Sequence, residues 1–216
     1  MNLPYIDIHT HGCAPETDVK KVCVHPLGAA KSLPKGVFVA GVHPWDVAEA
    51  SASALDFFGE NHTGLVGVGE IGLDFARRDA DKATQTEWLD KQLAIAARLD
   101  LPVVVHCVKA FNEMQAELAK HRLKSVVFHG FTGSPELAAQ LIGRGYCLSF
   151  GASFLRSPKT AAALKYTPPD RLFLETDDEP DAGIASIYHR AASVRGETTE
   201  QLKTAVFNNY KQAFNG

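Results

Sequence analysis

Imidazoles and carboxylates follow several short apolar runs of this sequence. The run at residues 5–8 leads into His9 and His11, and the run at residues 65–69 leads directly into Glu70. Alternate residues of a strand point to the same side, so a strand through the first run would present its two imidazoles together. Three further runs are each followed by one such residue: His106, His129 and Asp177.

These six side chains predict a metal centre. Four imidazoles and two carboxylates suit zinc and other first-row divalent ions, and they leave room for two ions bridged by a carboxylate and a water. Burying so many ionisable groups without partners would be costly. We therefore expect one or two divalent ions (Zn, Mg or Mn) that lower the pKa of a bound water from 15.7 toward ~7. Asp177 could take the proton of that water, and Glu70 is the other candidate catalytic carboxylate.

Apolar runs predict the strands that would position these residues. Several runs are continuous rather than alternating, as is typical of parallel strands covered on both faces. The predicted strands are residues 3–8, 21–25, 37–42, 65–69, 103–106, 125–128, 146–150 and 171–174.

Helix signals lie between the later strands. Thr84 and Glu87 have the spacing of a capping box, and apolar residues follow at helical spacing as far as Leu99, before Pro102 closes the helix. Ser134 followed by Pro135 predicts a helix start, with the helix ending near residues 143–145. A last helix is predicted at residues 198–214.

Strands that alternate with helices predict an α/β fold with a parallel sheet. About eight strands favour a compact (β/α) barrel of the TIM type, in which functional residues gather at the carboxyl ends of the strands. Only about a dozen residues separate His11 from the second strand, so we expect the first helix to be reduced or lost. The whole chain, residues 1–216, is predicted to be a single hydrolase domain.

Composition excludes some function classes. Among the 216 residues the net charge is −3, so the sequence as a whole exerts no electrostatic attraction on nucleic acid. No segment approaches the ~20 consecutive apolar residues that span a bilayer, and the N-terminal residues do not resemble a secretion signal. We therefore expect a cytoplasmic protein with no membrane partner and no obligate protein partner.

The motifs around these residues also resemble the TatD-type metal-dependent deoxyribonuclease family, in its order and at roughly its spacing. Each motif alone is weak, and the ordered combination is specific. The motifs are DIHTH at residues 7–11, GVHP at 41–44, GEIGLD at 69–74, PVVVH at 102–106, FHGFTGS at 128–134, LSFG at 148–151 and LETD at 174–177.

The resemblance implies a function and a role for each matching residue. The implied reaction is hydrolysis of phosphodiester bonds in DNA by two metal ions. The implied ligands of the first ion are His9, His11 and Asp177; those of the second are His106 and His129, with Glu70 bridging the two.

Two further residues are candidates for supporting roles. The residue that matches His43 is expected to contact the substrate phosphate, and its position after a predicted strand agrees with that role. Asp74 either orients a metal-binding imidazole or fixes its loop. The predicted substrate is DNA or a small phosphoester.

Two alternatives to a nuclease remain open. Barrels with a His-x-His pair on the first strand also hydrolyse small esters, lactones and amides, and the acidic run Asp178–Glu179–Pro180–Asp181 favours such substrates because it would repel a polyanion. A catalytically inactive binding barrel is the other alternative. The presence of all six predicted ligands argues against it.

Overall fold

The structure is a computed structural model, and it describes residues 3–28, 32–77, 80–179 and 183–214. The strands are β1 (Tyr5–Thr10), β2 (Val19–Pro26), β3 (Val37–Gly41), β4 (Leu65–Asp74), β5 (Val103–Val108), β6 (Val126–Phe128), β7 (Cys147–Phe150) and β8 (Leu172–Leu174). The α-helices are α1 (Lys82–Leu99), α2 (Phe111–Leu118), α3 (Pro135–Gly143), α4 (Pro158–Tyr166), α5 (Ile184–Arg195) and α6 (Thr199–Phe214). Short 3-10 helices lie at Ala52–Gly59, Ala152–Leu155 and Pro169–Arg171.

The strands form one sheet whose order follows the chain, from β1 to β8. The pairs β1–β2, β3–β4, β4–β5, β6–β7 and β7–β8 are parallel. Thr10 of β1 also forms a parallel bridge with Asp177, three residues beyond β8. A parallel sheet in chain order whose first and last strands are bridged is a (β/α) barrel, so the predicted fold class is confirmed.

All eight predicted strands are present, with shifted ends. The largest shift is in β4, which was predicted to end at residue 69 and runs to Asp74. Glu70 and Asp74 therefore lie within a strand instead of following one. The prediction that the first helix is reduced or lost is confirmed, because residues 11–18 contain no helix and the structure describes all of them.

The helix starts were predicted with mixed success. The capping box at Thr84 and Glu87 is wrong: α1 begins at Lys82, and the carboxylate of Asp81 accepts the Thr84 N–H at 2.8 Å. Ser134 caps α3 with Pro135 at its first turn, as predicted. The last helix is confirmed as α6, whereas α2, α4 and α5 were not predicted. No helix among the described residues is both long enough and apolar enough to cross a membrane.

The chain divides into two compact units, and the first comprises Met1–Cys23 and Val127–Gly216. In this unit the C-terminal helices cover β1. The Tyr188 hydroxyl of α5 donates to the Ile6 carbonyl at 3.0 Å and accepts from the Ile6 N–H at 3.3 Å. Asn209 of α6 donates to the Leu172 carbonyl of β8 at 2.9 Å. These bonds satisfy backbone groups that would otherwise be buried without partners.

The second unit is Val24–Val126. Its longest helix, α1, buries one face at helical spacing, through Trp88, Leu89, Leu93 and Ala96. Gly72 lets β4 approach β5 closely, because a Cβ at this position would collide with the carbonyl oxygen of His106. The φ of Gly72, 156°, is also one that residues with a side chain rarely adopt. The single domain expected from the sequence stays a prediction.

Candidate metal centre

In the first unit, the backbone joins the His-x-His pair to an aspartate. His9 lies in β1, and His11 directly follows this strand. The Asp177 N–H donates to the His9 carbonyl at 2.9 Å, and the His11 N–H donates to the Asp177 carbonyl at 3.0 Å. Asp177 adopts a left-handed backbone conformation with φ of 54°. The relative positions of the three residues are therefore set by the pairing of β1 with the segment after β8.

The side chains of these residues converge. His9 Nε2 lies 3.4 Å from Asp177 Oδ1, and His11 Nε2 lies 3.8 Å from the same oxygen. One donor atom from each of the three residues lies within 4.8 Å of the others. The His9 ring also stacks on the His129 ring, with centroids 4.0 Å apart and planes 21° apart. Four of the six predicted ligands are thus close together in this unit.

The residues next to this group form a buried hydrogen-bond network. The Asp7 carboxylate accepts the Thr176 N–H at 2.9 Å and the Thr176 hydroxyl at 2.7 Å. The Thr176 Oγ1 also lies 2.9 Å from the Thr10 Oγ1. Burial raises the pKa of Asp7 to about 6, although the bonds from Thr176 act in the opposite direction. The residues next to His9, His11 and Asp177 are therefore tied together across the two strands.

Glu175 is a further carboxylate of the first unit. It is fully buried, its Oε1 accepts the Gly130 N–H, and the same oxygen lies 3.8 Å from His129 Nδ1. Donor atoms of His129, Glu175 and Asp177 lie within 4.8 Å of one another. The sequence analysis gave Glu175 no role.

In the second unit, Glu70 lies between two imidazoles. Its Oε1 is 3.0 Å from His43 Nε2 and 2.9 Å from His106 Nδ1. The Trp45 N–H approaches His43 Nδ1 at 3.2 Å, so Nδ1 is the acceptor and Nε2 carries the proton that points to Glu70. His43, Glu70 and His106 form another group of three donors within 4.8 Å.

Asp74 contacts both an imidazole and its own loop. Its Oδ2 lies 3.3 Å from His106 Nε2 and accepts the Trp45 indole N–H at 2.8 Å, while Oδ1 accepts the Ala76 N–H at 2.9 Å. Burial alone would raise the pKa of Asp74, but these hydrogen bonds, led by that of Trp45, lower it. A carboxylate on one ring nitrogen leaves the other nitrogen facing a metal, a common arrangement around metal-binding histidines. The structure thus has a contact for each role proposed for Asp74: His106 for orienting an imidazole, and the Ala76 N–H for fixing the loop.

Two glutamines of α1 hold the strand ends that carry His43 and Asp74. Gln92 Oε1 accepts the Val42 N–H at 2.7 Å, and Gln92 Nε2 donates to the Val42 carbonyl at 3.1 Å. Gln85 forms the same pair of bonds with the N–H and carbonyl of Asp74, at 2.8 and 3.1 Å. Both glutamines are buried. Sequence reasoning missed them, although a polar residue on the apolar face of a helix is a usable signal.

The residues present fit a divalent metal ion. Each unit offers imidazole nitrogens together with carboxylate oxygens, the donor set of zinc and related ions. The fully buried Glu175 carboxylate has an oxygen, Oε2, for which the described residues provide no hydrogen-bond donor. A cation would compensate this oxygen.

The structure gathers the predicted site residues into one group in each unit. His9, His11, His129 and Asp177 lie in the first group, and Glu70, His106 and His43 in the second. Their assignment to one or two ions, and the contact of His43 with substrate, stay predictions. In the acidic run, Asp178 and Glu179 are exposed, and residues 180–181 lie outside the described part of the chain.

Imidazole–carboxylate groups on a parallel barrel are typical of metal-dependent hydrolases. Comparison with known proteins gives the family. A family model described as "TatD related DNase" matches residues 7–215. The chain therefore belongs to the TatD family, which confirms the resemblance seen in the motifs.

Individual relatives agree with this assignment. The chain is 32% identical over 166 residues to the uncharacterized metal-dependent hydrolase YjjV of Escherichia coli, a match that covers 70% of this chain and 64% of the relative. It is 33% identical over 207 residues to the 3'-5' ssDNA/RNA exonuclease TatD of Pantoea vagans, covering 81% and 76%. The crystal structure of E. coli YjjV superposes with a TM-score of 0.85 at 26% identity and covers 100% of both chains.

Proposed function

We propose that this protein is a metal-dependent phosphodiesterase that cleaves nucleic acid, with single-stranded DNA as the first substrate to test. The observation that carries the proposal is the group of His9, His11 and Asp177, whose side chains converge while backbone bonds hold their relative positions. Membership of the TatD family supports the same reaction. A relative that is 33% identical is named a 3'-5' ssDNA/RNA exonuclease, which supports nucleic acid as the substrate.

The proposed ion ligands are the six residues His9, His11, Glu70, His106, His129 and Asp177. A divalent ion bound there would lower the pKa of a water ligand toward ~7 and neutralise charge that develops on the phosphoryl oxygens. Asp177 accepts the proton that the attacking water loses. The carboxylate suits this role because its backbone is fixed on both sides by bonds to β1.

Two residues of the second unit, His43 and Asp74, are assigned supporting roles. His43 carries its proton on Nε2, directed at Glu70. We assign this N–H to a phosphate oxygen, to which it would turn when Glu70 binds metal. Asp74 contacts Nε2 of His106, which leaves the Nδ1 of that imidazole facing Glu70. Glu70 is assigned to metal binding between these imidazoles.

The acidic run after Asp177 opposes a polyanion less than its composition indicates. Glu179 forms an ion pair with Arg156, with Arg156 Nη2 and Glu179 Oε1 3.1 Å apart. Both side chains are exposed, so salt screens their charges. The cation offsets part of the negative charge beside Asp177, so the acidic run is a weaker argument against a phosphodiester substrate.

The test is a cleavage panel on purified protein whose metal content has been measured. Protein loaded with Zn, Mn or Mg is incubated with single-stranded DNA, duplex DNA, bis(p-nitrophenyl) phosphate, a carboxylic ester and a lactone. We expect metal-dependent cleavage of the phosphodiesters, which Glu70→Ala and Asp177→Ala abolish. Glu113→Ala, at an exposed carboxylate of α2, is the matched control and should retain activity.

Two outcomes would contradict the proposal. Activity confined to the ester or the lactone would support the small-molecule hydrolase. Metal-loaded protein that cleaves nothing in the panel would leave the inactive binding barrel as the better description.

A further inference from the structure

Glu175 is a buried ionisable residue that the proposed mechanism does not use. It follows β8 directly, and none of its surface is exposed to solvent. Carboxylates are almost never fully buried unless they are paired or bind a metal. The position of this residue therefore calls for a cationic or hydrogen-bonding partner.

The two carboxylate oxygens of Glu175 have different surroundings. Oε1 accepts the N–H of Gly130 and lies 3.8 Å from His129 Nδ1. Oε2 is inaccessible to solvent, and the described residues provide no hydrogen-bond donor to it. The contact with Gly130 thus uses one oxygen and leaves the other without compensation for its lost hydration.

We infer that Glu175 is an additional metal ligand, which holds a divalent cation together with His129 and Asp177. The inference rests on the metal dependence in the proposed function. Donor atoms of the three residues lie within 4.8 Å of one another. Ligands with bonds of about 2.1 Å to one ion lie roughly 3–4 Å apart, so a small movement of side chains closes the site.

This assignment changes the chemistry of the first unit. Its two groups of three donors, His9–His11–Asp177 and His129–Glu175–Asp177, share Asp177. Glu175 raises the number of carboxylates in the unit's donor set from one to two. Two carboxylates neutralise the charge of a divalent ion, and oxygen ligands favour Mg and Mn more than a site dominated by imidazole does.

The test is the substitution Glu175→Gln, which separates metal binding from a purely structural role. Glutamine keeps an oxygen that can accept the Gly130 N–H. It replaces Oε2 by an amide NH2 group, whose nitrogen does not bind a cation. Protein stripped with a chelator is titrated with Mn and with Zn against a competing indicator. We expect at least about a tenfold loss of affinity, since even residues that only orient ligands are worth 10–100-fold.

Thermal unfolding gives a second readout that a structural role would not reproduce. Without metal, Glu175→Gln should unfold at the same or a higher temperature than wild type, because a buried charge has been removed. With saturating metal, it should gain less stability than wild type. Glu117→Gln, at a buried carboxylate of α2 that pairs with Lys120, is the matched control for the chemical change, and its metal affinity should equal that of wild type.

The outcomes separate this inference from the proposed function. Wild type that binds metal and cleaves phosphodiesters, with Glu175→Gln binding metal equally well, would overturn the inference alone. A variant that loses stability equally with and without metal would assign Glu175 a purely structural role, which also overturns the inference. Wild type that binds no divalent ion would refute both. If Glu175→Gln does not fold, Glu175→Asp decides: its shorter carboxylate should bind metal more weakly than wild type, and equal affinity would refute the inference.

Discussion

Replacing Gln92 by methionine tests whether α1 holds the end of β3 through hydrogen bonds. Methionine is similar in length and shape and is tolerated on the apolar face of the helix. It removes the acceptor of the Val42 N–H and the donor to the Val42 carbonyl, at 2.7 and 3.1 Å in the structure. Val42 is fully buried, so water cannot replace either partner.

The expected loss of stability follows from these two bonds. A buried polar group left without its partner costs about 1–3 kcal/mol, so two such groups imply roughly 2–6 kcal/mol for Gln92→Met. In a chain of this size one kcal/mol shifts the unfolding temperature by about 2–4 °C, which gives a decrease of roughly 4–24 °C.

Chemical and thermal unfolding of metal-free protein measure this effect. Gln212→Met, at an exposed position of α6, is the matched control and should change stability by no more than about 0.5 kcal/mol. If Gln92→Met unfolded within the same narrow range, the glutamine would not be what holds Val42, and the reasoning for Gln85 would fail with it.

Two further substitutions test single contacts of the site and its support. Asp74→Asn should weaken metal binding about 10–100-fold in titrations, because the carboxylate that faces His106 Nε2 is lost. Because the pKa of Asp74 is lowered, its ionised form stabilises the fold above the usual aspartate pKa near 3.8. The stability difference between wild type and Asp74→Asn should therefore shrink as the pH falls below that value. A difference that stays constant with pH would contradict this prediction. Tyr188→Phe should cost about 2–6 kcal/mol in urea unfolding, because both backbone groups of Ile6 lose their hydroxyl partner. Unchanged stability would show that other groups satisfy the Ile6 N–H and carbonyl.

The strands and most ligands were predictable because their signals are local. A short apolar run followed by a histidine or carboxylate is visible in the sequence, and the barrel fold then predicts that such residues gather at the strand ends. The ends of β4 were harder to predict. Glu70 and Asp74 are polar residues that lie inside this strand, and their partners His43, His106 and Trp45 are distant in sequence.

The residues that were missed act through tertiary contacts. Gln85 and Gln92 are ordinary helix residues in sequence, and their role appears only when Val42 and Asp74 are seen against α1. The true cap of α1, Asp81, was overlooked in favour of a pattern three residues later. Glu175 directly follows the predicted last strand, but its full burial could not be read from the sequence.

The cover of β1 has a consequence for how the protein is made. The partners of the first strand come from the end of the chain: Tyr188 bonds to Ile6 across 182 residues, and Lys203 lies with its Nζ 4.5 Å from the Tyr5 ring centroid. During synthesis, β1 is made before α5 and α6, so its backbone groups find these partners only after both helices have been made. Contacts so distant in sequence form slowly. Acquisition of the His9–His11–Asp177 group should therefore be one of the late events of folding.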